Sequence, residues 1–265
     1  MKNMFKILST AFFLFFSSFS PPISPQDRGA VREFFRYFVY DTPAPFTLFG
    51  DKPISIIACS IETHPLYVSD SAIYYALRKN FSIWKRYLPL FCSENYAMIE
   101  NDTQNPGRFC VLFINKRACL EVINSHLPLF QEILEEKLSA ENILAQIEHS
   151  SDLFETLHHH RGLLGLLLGF GKNNAWAFRD LYEKQIPLKP LSLFNENSGE
   201  PLFLFHTLNF AVIKDDPETL LLKQKYAEQR KHLIEIYQSG DFLDITLAKL
   251  NAKPPLTGSH YTQKH

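Results

Sequence analysis

The sequence predicts an α+β fold, mainly helical: a single domain with a few short strands packed on a helical bundle. Three observations predict it. Apolar residues recur at helical spacing in several separate segments, of which Val31, Phe34, Phe35, Phe38 and Val39 are the first. Two short apolar runs, ISIIAC (54–59) and FCVLFIN (109–115), suit strands. Only 10 Gly among 265 residues argue against a turn-rich all-β sandwich or a glycine-rich repeat. The 46% hydrophobic share excludes a disordered chain, and a formal net charge of -1 leaves no electrostatic footprint for nucleic acid.

The elements follow in chain order. Lys2 and Lys6 precede an apolar run over 7–19, followed by Ser18-Phe19-Ser20 and Pro21-Pro22-Ile23-Ser24-Pro25. This is the pattern of a secretory signal peptide, and as a helix the run reaches about 20 Å, short of a hydrocarbon core of ~30 Å. Residues 1–25 are therefore expected to be a signal peptide or targeting segment, with an inner-membrane anchor over 7–19 as the alternative. Six of the 24 Phe lie in it. The rest has no uninterrupted apolar run of membrane-spanning length, so the mature part reads as soluble. Export would open disulfide chemistry to Cys59, Cys92, Cys110 and Cys119. A Cys92–Cys110 bridge would close the polar loop between them, whereas Cys59 reads as a small buried hydrophobe.

After the helix around 31–39, two prolines and a Gly-Asp turn suggest that FTLF (46–49) and ISIIAC are two short extended segments. Ser69-Asp70-Ser71 can cap a helix carrying Ile73, Leu77, Trp84 and Leu88, stopped near Pro89. FCVLFIN is the best strand and runs into Asn115, a helix start. Helical patterns cover 116–125, 127–138 and 140–149, the last capped by Ser139. PLFLFHTLNFAVI (201–213) reads as extended. Asp216-Pro217-Glu218 combines a capping side chain, Pro at the first helical position and acid in the first turn. That helix runs to Ser239-Gly240, where Gly suits a left-handed stop. Asp241 caps a final helix, so 26–250 forms one domain and 251–265 a flexible tail.

Residues 157–178, LHHHRGLLGLLLGFGKNNAWAF, are the most unusual segment. A helix capped by Asp152 would place Gly162, Gly165 and Gly169 on small-residue spacings, for close approach of another backbone. Gly169-Phe170-Gly171 would break it, and Asn173 would cap a second helix. A Gly-x-Gly step before a helix N-terminus could also cradle an anion. Here, however, a helix precedes it and Asn174 stands where the third glycine of a nucleotide fingerprint belongs. The apolar stretch 162–170 is too short to span a membrane. Consecutive His158, His159 and His160 would lie 100° apart on a helix and share no face. Glu155 with His158 makes one E-x-x-H, but no second copy exists for a di-iron bundle. There is no H-E-x-x-H and no G-x-S-x-G, and Cys59 with His64 or His206 is a pairing any such chain offers. The Glu135/Glu136 pair reads as a solvated helix face.

Several segments resemble a Chlamydiales-type family of predicted exported proteins to which no activity is assigned. The carriers are FTLFGDKP (46–53), FINK (113–116), LLGLLLGFGKNNA (163–175) and DPET (216–219), the last leading to Tyr226, Arg230 and GDFL (240–243). The glycine step also resembles the H-E-x-G-x-x-L-G-Y-P step of a Firmicutes domain, but Arg161 replaces its Glu and Gly171 its Pro. The resemblance implies export and brings no catalytic residues with it.

The function expected is therefore that of an exported, soluble envelope protein acting by binding, with another protein as the expected partner class and neither cofactor nor metal. An envelope enzyme with a Cys/His or metal site near His158–His160 is the alternative. A further one is a secreted effector meeting host membranes or proteins through 162–170, which requires Leu164 and Leu167 to be exposed. A ligand site is expected where FTLFGDKP meets LLGFGKNNA, with Lys52, Lys172 and Asn173 as polar groups and His159 as the titratable one.

Overall fold

The computed structural model describes residues 23–61, 68–69, 71–91, 94–101, 107–184, 190–192, 208–213 and 215–252. The fold is α+β and mainly helical, as expected, but its strands lie between two helical layers rather than on one bundle. The central sheet has the order β2-β1-β4-β3. Strand β1 (Ile54–Ser60) pairs antiparallel with β4 (Arg108–Asn115), Ile54 opposite Ile114, and β4 pairs antiparallel with β3 (Tyr96–Glu100). The two-residue β2 (Val68–Ser69) adds parallel to the end of β1.

Strand β4 shows why its sequence is apolar throughout. Its alternate side chains enter two different cores, so neither face can be polar. Phe109, Val111 and Phe113 join Phe34, Phe35, Phe38, Phe81 and Trp84 on one face. Cys110, Leu112 and Ile114 join Ile123, Phe130, Ile143, Leu163 and Leu167 on the other. The first layer contains α1 (Pro25–Tyr40), α2 (Ala44–Leu48), α3 (Ser71–Trp84) and the short α4 (Leu88–Phe91). The second contains α5 (Lys116–Ser125), α6 (Leu127–Ile133), α7 (Ala140–Glu148), α8 (Leu153–Thr156), α9 (Arg161–Leu167) and α10 (Lys172–Lys184). A small antiparallel pair, β5 (Pro190–Ser192) and β6 (Asn209–Ala211), precedes α11 (Pro217–Gln238) and α12 (Phe242–Asn251), which pack on the first core.

Several helix starts are where the capping residues put them. The side chains of Asn115, Ser139, Asp216 and Asp241 accept backbone N–H bonds at the starts of α5, α7, α11 and α12. Asn115 does more. Its Nδ2 donates to Thr47 O at 3.0 Å and Gly50 O at 3.3 Å, tying the end of α2 to the strand–helix junction. Ser24 caps α1 and Ile23 packs on the first core, so the end of the expected targeting segment is built into the fold. The apolar run 7–19 and the tail from 253 onward lie outside the described residues, as do 201–207, His64, His206 and Cys92.

Four local expectations are corrected. FTLF belongs mostly to helix α2, not to a strand: Pro43 and Pro45 fix φ for a first helical turn, and burial on all sides erases any helical period. Helix α3 ends at Trp84, and Leu88 and Pro89 belong to α4. Helix α6 stops at Ile133, with Glu135 at φ 56°. Gly240 is not in the left-handed region, because α11 closes on Ser239 with ordinary helical dihedrals.

Candidate functional site

The glycine-rich segment is a helix–turn–helix corner, but not the one its spacing suggests. Asp152 caps only the four-residue α8. His158 and His159 then take φ values of 50° and 57°, which end the helix. His160 starts the next one: its Nδ1 accepts from Leu163 N–H at 3.1 Å, so its ring caps α9. The three histidines thus form a joint between helices. The E-x-x-H face does not exist, because His158 lies beyond the end of α8. Among the described residues no group of three His, Cys, Asp or Glu side chains is placed to hold a metal.

Helices α9 and α10 meet through glycine. A Cβ on Gly165 would lie 2.6 Å from Ala175 Cβ, and one on Gly162 would lie 3.1 Å from the Trp176 ring. Gly165 makes the close backbone approach expected of it, its Cβ position 3.1 Å from Ala175 Cα, whereas Gly162 meets only side-chain rings. Leu163 and Leu167 are fully buried and Leu166 nearly so, with Leu164 packed against the second core. None of 162–170 is exposed: Gly162, Leu163, Gly165, Leu166 and Leu167 are buried and the rest half-buried, so the exposure that a contact surface there requires of Leu164 and Leu167 is not present.

Gly169 and Gly171, at φ 77° and 79°, turn the chain from α9 into α10. The free N–H groups this exposes do cradle an anion, and the anion is the protein's own. Lys172 N–H donates to Glu218 Oε1 at 2.8 Å and Asn173 N–H to Glu218 Oε2 at 2.6 Å. Asn173 is therefore not a cap. Its Nδ2 donates to Asp216 Oδ1 at 3.1 Å, while the α10 start is held from the first turn of α11. Asn174, in the place of the missing third glycine, is buried. Its Nδ2 donates to Phe170 O, and its Oδ1 accepts from Ile213 N–H and the Thr219 hydroxyl, each at 2.9 Å.

FTLFGDKP and LLGFGKNNA do touch. Lys52 is 2% exposed, and its Nζ donates to Ile54 O at 2.6 Å and to Leu168 O. The Tyr226 hydroxyl donates to Gly169 O at 2.8 Å from α11. A Cβ on Gly169 would stand 3.3 Å from Pro53 Cδ and 2.5 Å from that hydroxyl. At Lys52 the segments meet in packed contact, and the amine faces the chain's own carbonyls. Burial pulls its pKa down to about 7, with the Cys119 thiol favouring the charged form and the Lys225 ammonium disfavouring it. Two carbonyls match the two N–H bonds of a neutral amine, and Phe170 lies 5.6 Å away, its ring stacked on Phe210 at 4.6 Å.

The four residues expected at the site thus divide. Lys52 is inside the seam, while Lys172 and Asn173 lie at its surface under Glu218. His159 is exposed in the α8–α9 turn with its ring 5.1 Å from Phe154. Glu218, Asn174 and Thr219 were not legible as part of the corner. Glu218 carried only the signal of an acid in a first helical turn, which points to its own helix rather than to α10. Cys59, Cys110 and Cys119 are free buried thiols; Cys59 is fully buried, as a small hydrophobe should be. Burial pushes the Cys59 and Cys110 thiols up to about 12 and raises that of Cys119 further, which keeps all three protonated. Comparison with family models, with curated proteins and with solved structures finds no match to this chain.

Proposed function

We propose that this chain is an exported protein of the cell envelope that acts by binding rather than by catalysis. One observation carries the reading: at the corner where the unusual residues converge, the polar groups of Lys52, Tyr226, Glu218 and Asn174 are bonded within the chain. Lys52 and Tyr226 hold carbonyls, Glu218 holds the α10 amides, and Asn174 joins three segments. Such an arrangement fixes a scaffold, whereas a catalytic site needs a nucleophile or acid–base group facing a substrate. Export is supported by the signal-type pattern over 1–25. Among the described residues no helix is long and apolar enough to cross a membrane. Membership of the Chlamydiales-type family of predicted exported proteins belongs to the same proposal and rests on the landmarks named above.

Two measurements test it. Fractionation of cells making the full chain should place the protein outside the cytoplasm, and a wholly cytoplasmic protein would end the export reading. Metal analysis of the purified protein should find no stoichiometric zinc or iron. A bound equivalent would favour the enzyme alternative near His158–His160 instead.

A further inference from the structure

One face of the first layer, that of α3, combines a cleft with an excess of like charge. Its buried positions, Tyr74, Leu77, Phe81 and Trp84, are set into the aromatic core. Arg78 stands about one turn before Phe81 on this helix, and Lys85 follows directly after its last residue, Trp84. Together with Phe81, Ser82, Arg86 and, from the end of β3, Glu100, these residues line an open cleft of about 280 Å³. Three cations and one carboxylate line it, on a chain whose overall formal charge is -1. Lys85 Nζ lies 3.0 Å from Glu100 and Arg86 Nη2 lies 2.9 Å from Asp27, so both are paired at the rim. Arg78 differs, because its Nη1 donates to the neutral Tyr74 hydroxyl at 2.8 Å.

We propose that this cleft binds a small soluble anion, a carboxylate or phosphate ester, held by Arg78 and Lys85. The guanidinium of Arg78 offers further N–H donors for a planar or tetrahedral anion. Lys85 can turn from Glu100 to the ligand without burying a charge, since the pair is solvent-exposed and held weakly. The volume lies just below the usual range of ligand pockets, which suits a single ring or short chain rather than a nucleotide. This inference rests on the binding role proposed above and gives it a ligand class.

Titration calorimetry of the intact protein with phenyl phosphate, benzoate and neutral benzyl alcohol tests it. Saturable binding of the two anions and none of the alcohol is expected. Arg78→Ala and Lys85→Ala should each weaken anion binding by about tenfold or more; replacing the exposed Lys85 should leave the unfolding midpoint unchanged, and Arg78→Lys, which keeps a donor for the Tyr74 hydroxyl, separates lost binding from lost stability at Arg78. Glu100→Gln, which frees Lys85 and removes the one repelling carboxylate, should tighten it. Absence of saturable anion binding, or binding indifferent to Arg78→Ala, would overturn the assignment. So would binding confined to phosphatidylglycerol vesicles, which would make the face a membrane contact. None of these outcomes bears on export, which fractionation decides separately.

Discussion

Lys52 is the residue whose chemistry is most altered by the fold. In the unfolded chain its amine keeps a proton to its ordinary value near 10.5, whereas in the fold it releases it at about 7. Between those values the unfolded chain binds the extra proton, so stability rises with pH, by about 1–2 kcal/mol between roughly pH 7 and 8.5. The three buried thiols act with the opposite sign above about pH 8.5, where the unfolded chain loses their protons first. Urea unfolding across this window should show the rise in the wild type and lose it in Lys52→Met. A rise that survives in Lys52→Met would belong to another group, Lys249 being a second lysine held below its ordinary value by burial. Two glycines give an opposed pair. Gly29 lies within α1 with nothing within 4 Å of an added Cβ, so Gly29→Ala should stabilise by about 0.5–1 kcal/mol. Gly165→Ala forces a methyl against Ala175 and should cost about 1–3 kcal/mol. Thermal unfolding of both variants checks the signs; a neutral Gly165→Ala would mean that α9 and α10 are free to separate.

At the scale of elements, the seam between α10 and α11 depends on Glu218. Replacing Glu218 with Ala removes acceptors from two amides at the α10 N-terminus and a negative charge from its positive end. A loss of about 1–2 kcal/mol in unfolding free energy is expected, with faster amide exchange at Lys172 and Asn173. Glu218→Gln, which keeps one acceptor oxygen, should recover part of it; equal exchange in all three proteins would remove Glu218 as the helix anchor. The same seam shows which parts of the fold could be read in advance. Asn115, Ser139, Asp216 and Asp241 were legible as caps because a cap bonds within three residues of itself. The glycine corner was legible for a similar reason, since Gly at positive φ is a local requirement. Glu218 reaches α10 from 45 residues away, and no local pattern encodes that. The break at His158 and His159 was equally hidden, because a histidine marks a left-handed stop far less strongly than a glycine does and the leucines beyond continue a helical period. FTLF misled because a fully buried run loses the periodicity that separates helix from strand.

Over the whole molecule, β4 is the element both cores share. It supplies Phe109, Val111 and Phe113 to one and Cys110, Leu112 and Ile114 to the other, so neither helical layer can keep its apolar face buried without it. The two cores should therefore unfold together, even though they touch opposite faces of the sheet. The chain carries a natural pair of reporters for this. It has 2 Trp, of which Trp84 is fully buried in the first core and Trp176 packs on the second. In Trp176→Phe the fluorescence follows the first core, and in Trp84→Phe it follows the second. Each variant will have its own stability, with Trp84→Phe losing contacts to Phe35 and Phe91. The comparison is accordingly made within each variant, between its fluorescence and its far-ultraviolet dichroism during urea unfolding. Coincident midpoints in both variants are expected. A Trp176 transition that precedes the loss of helical signal would show α9 and α10 detaching while β4 remains paired. Repeating that measurement in Glu218→Ala would then tell whether the α10–α11 seam or the shared strand is the stronger of the two couplings between layers.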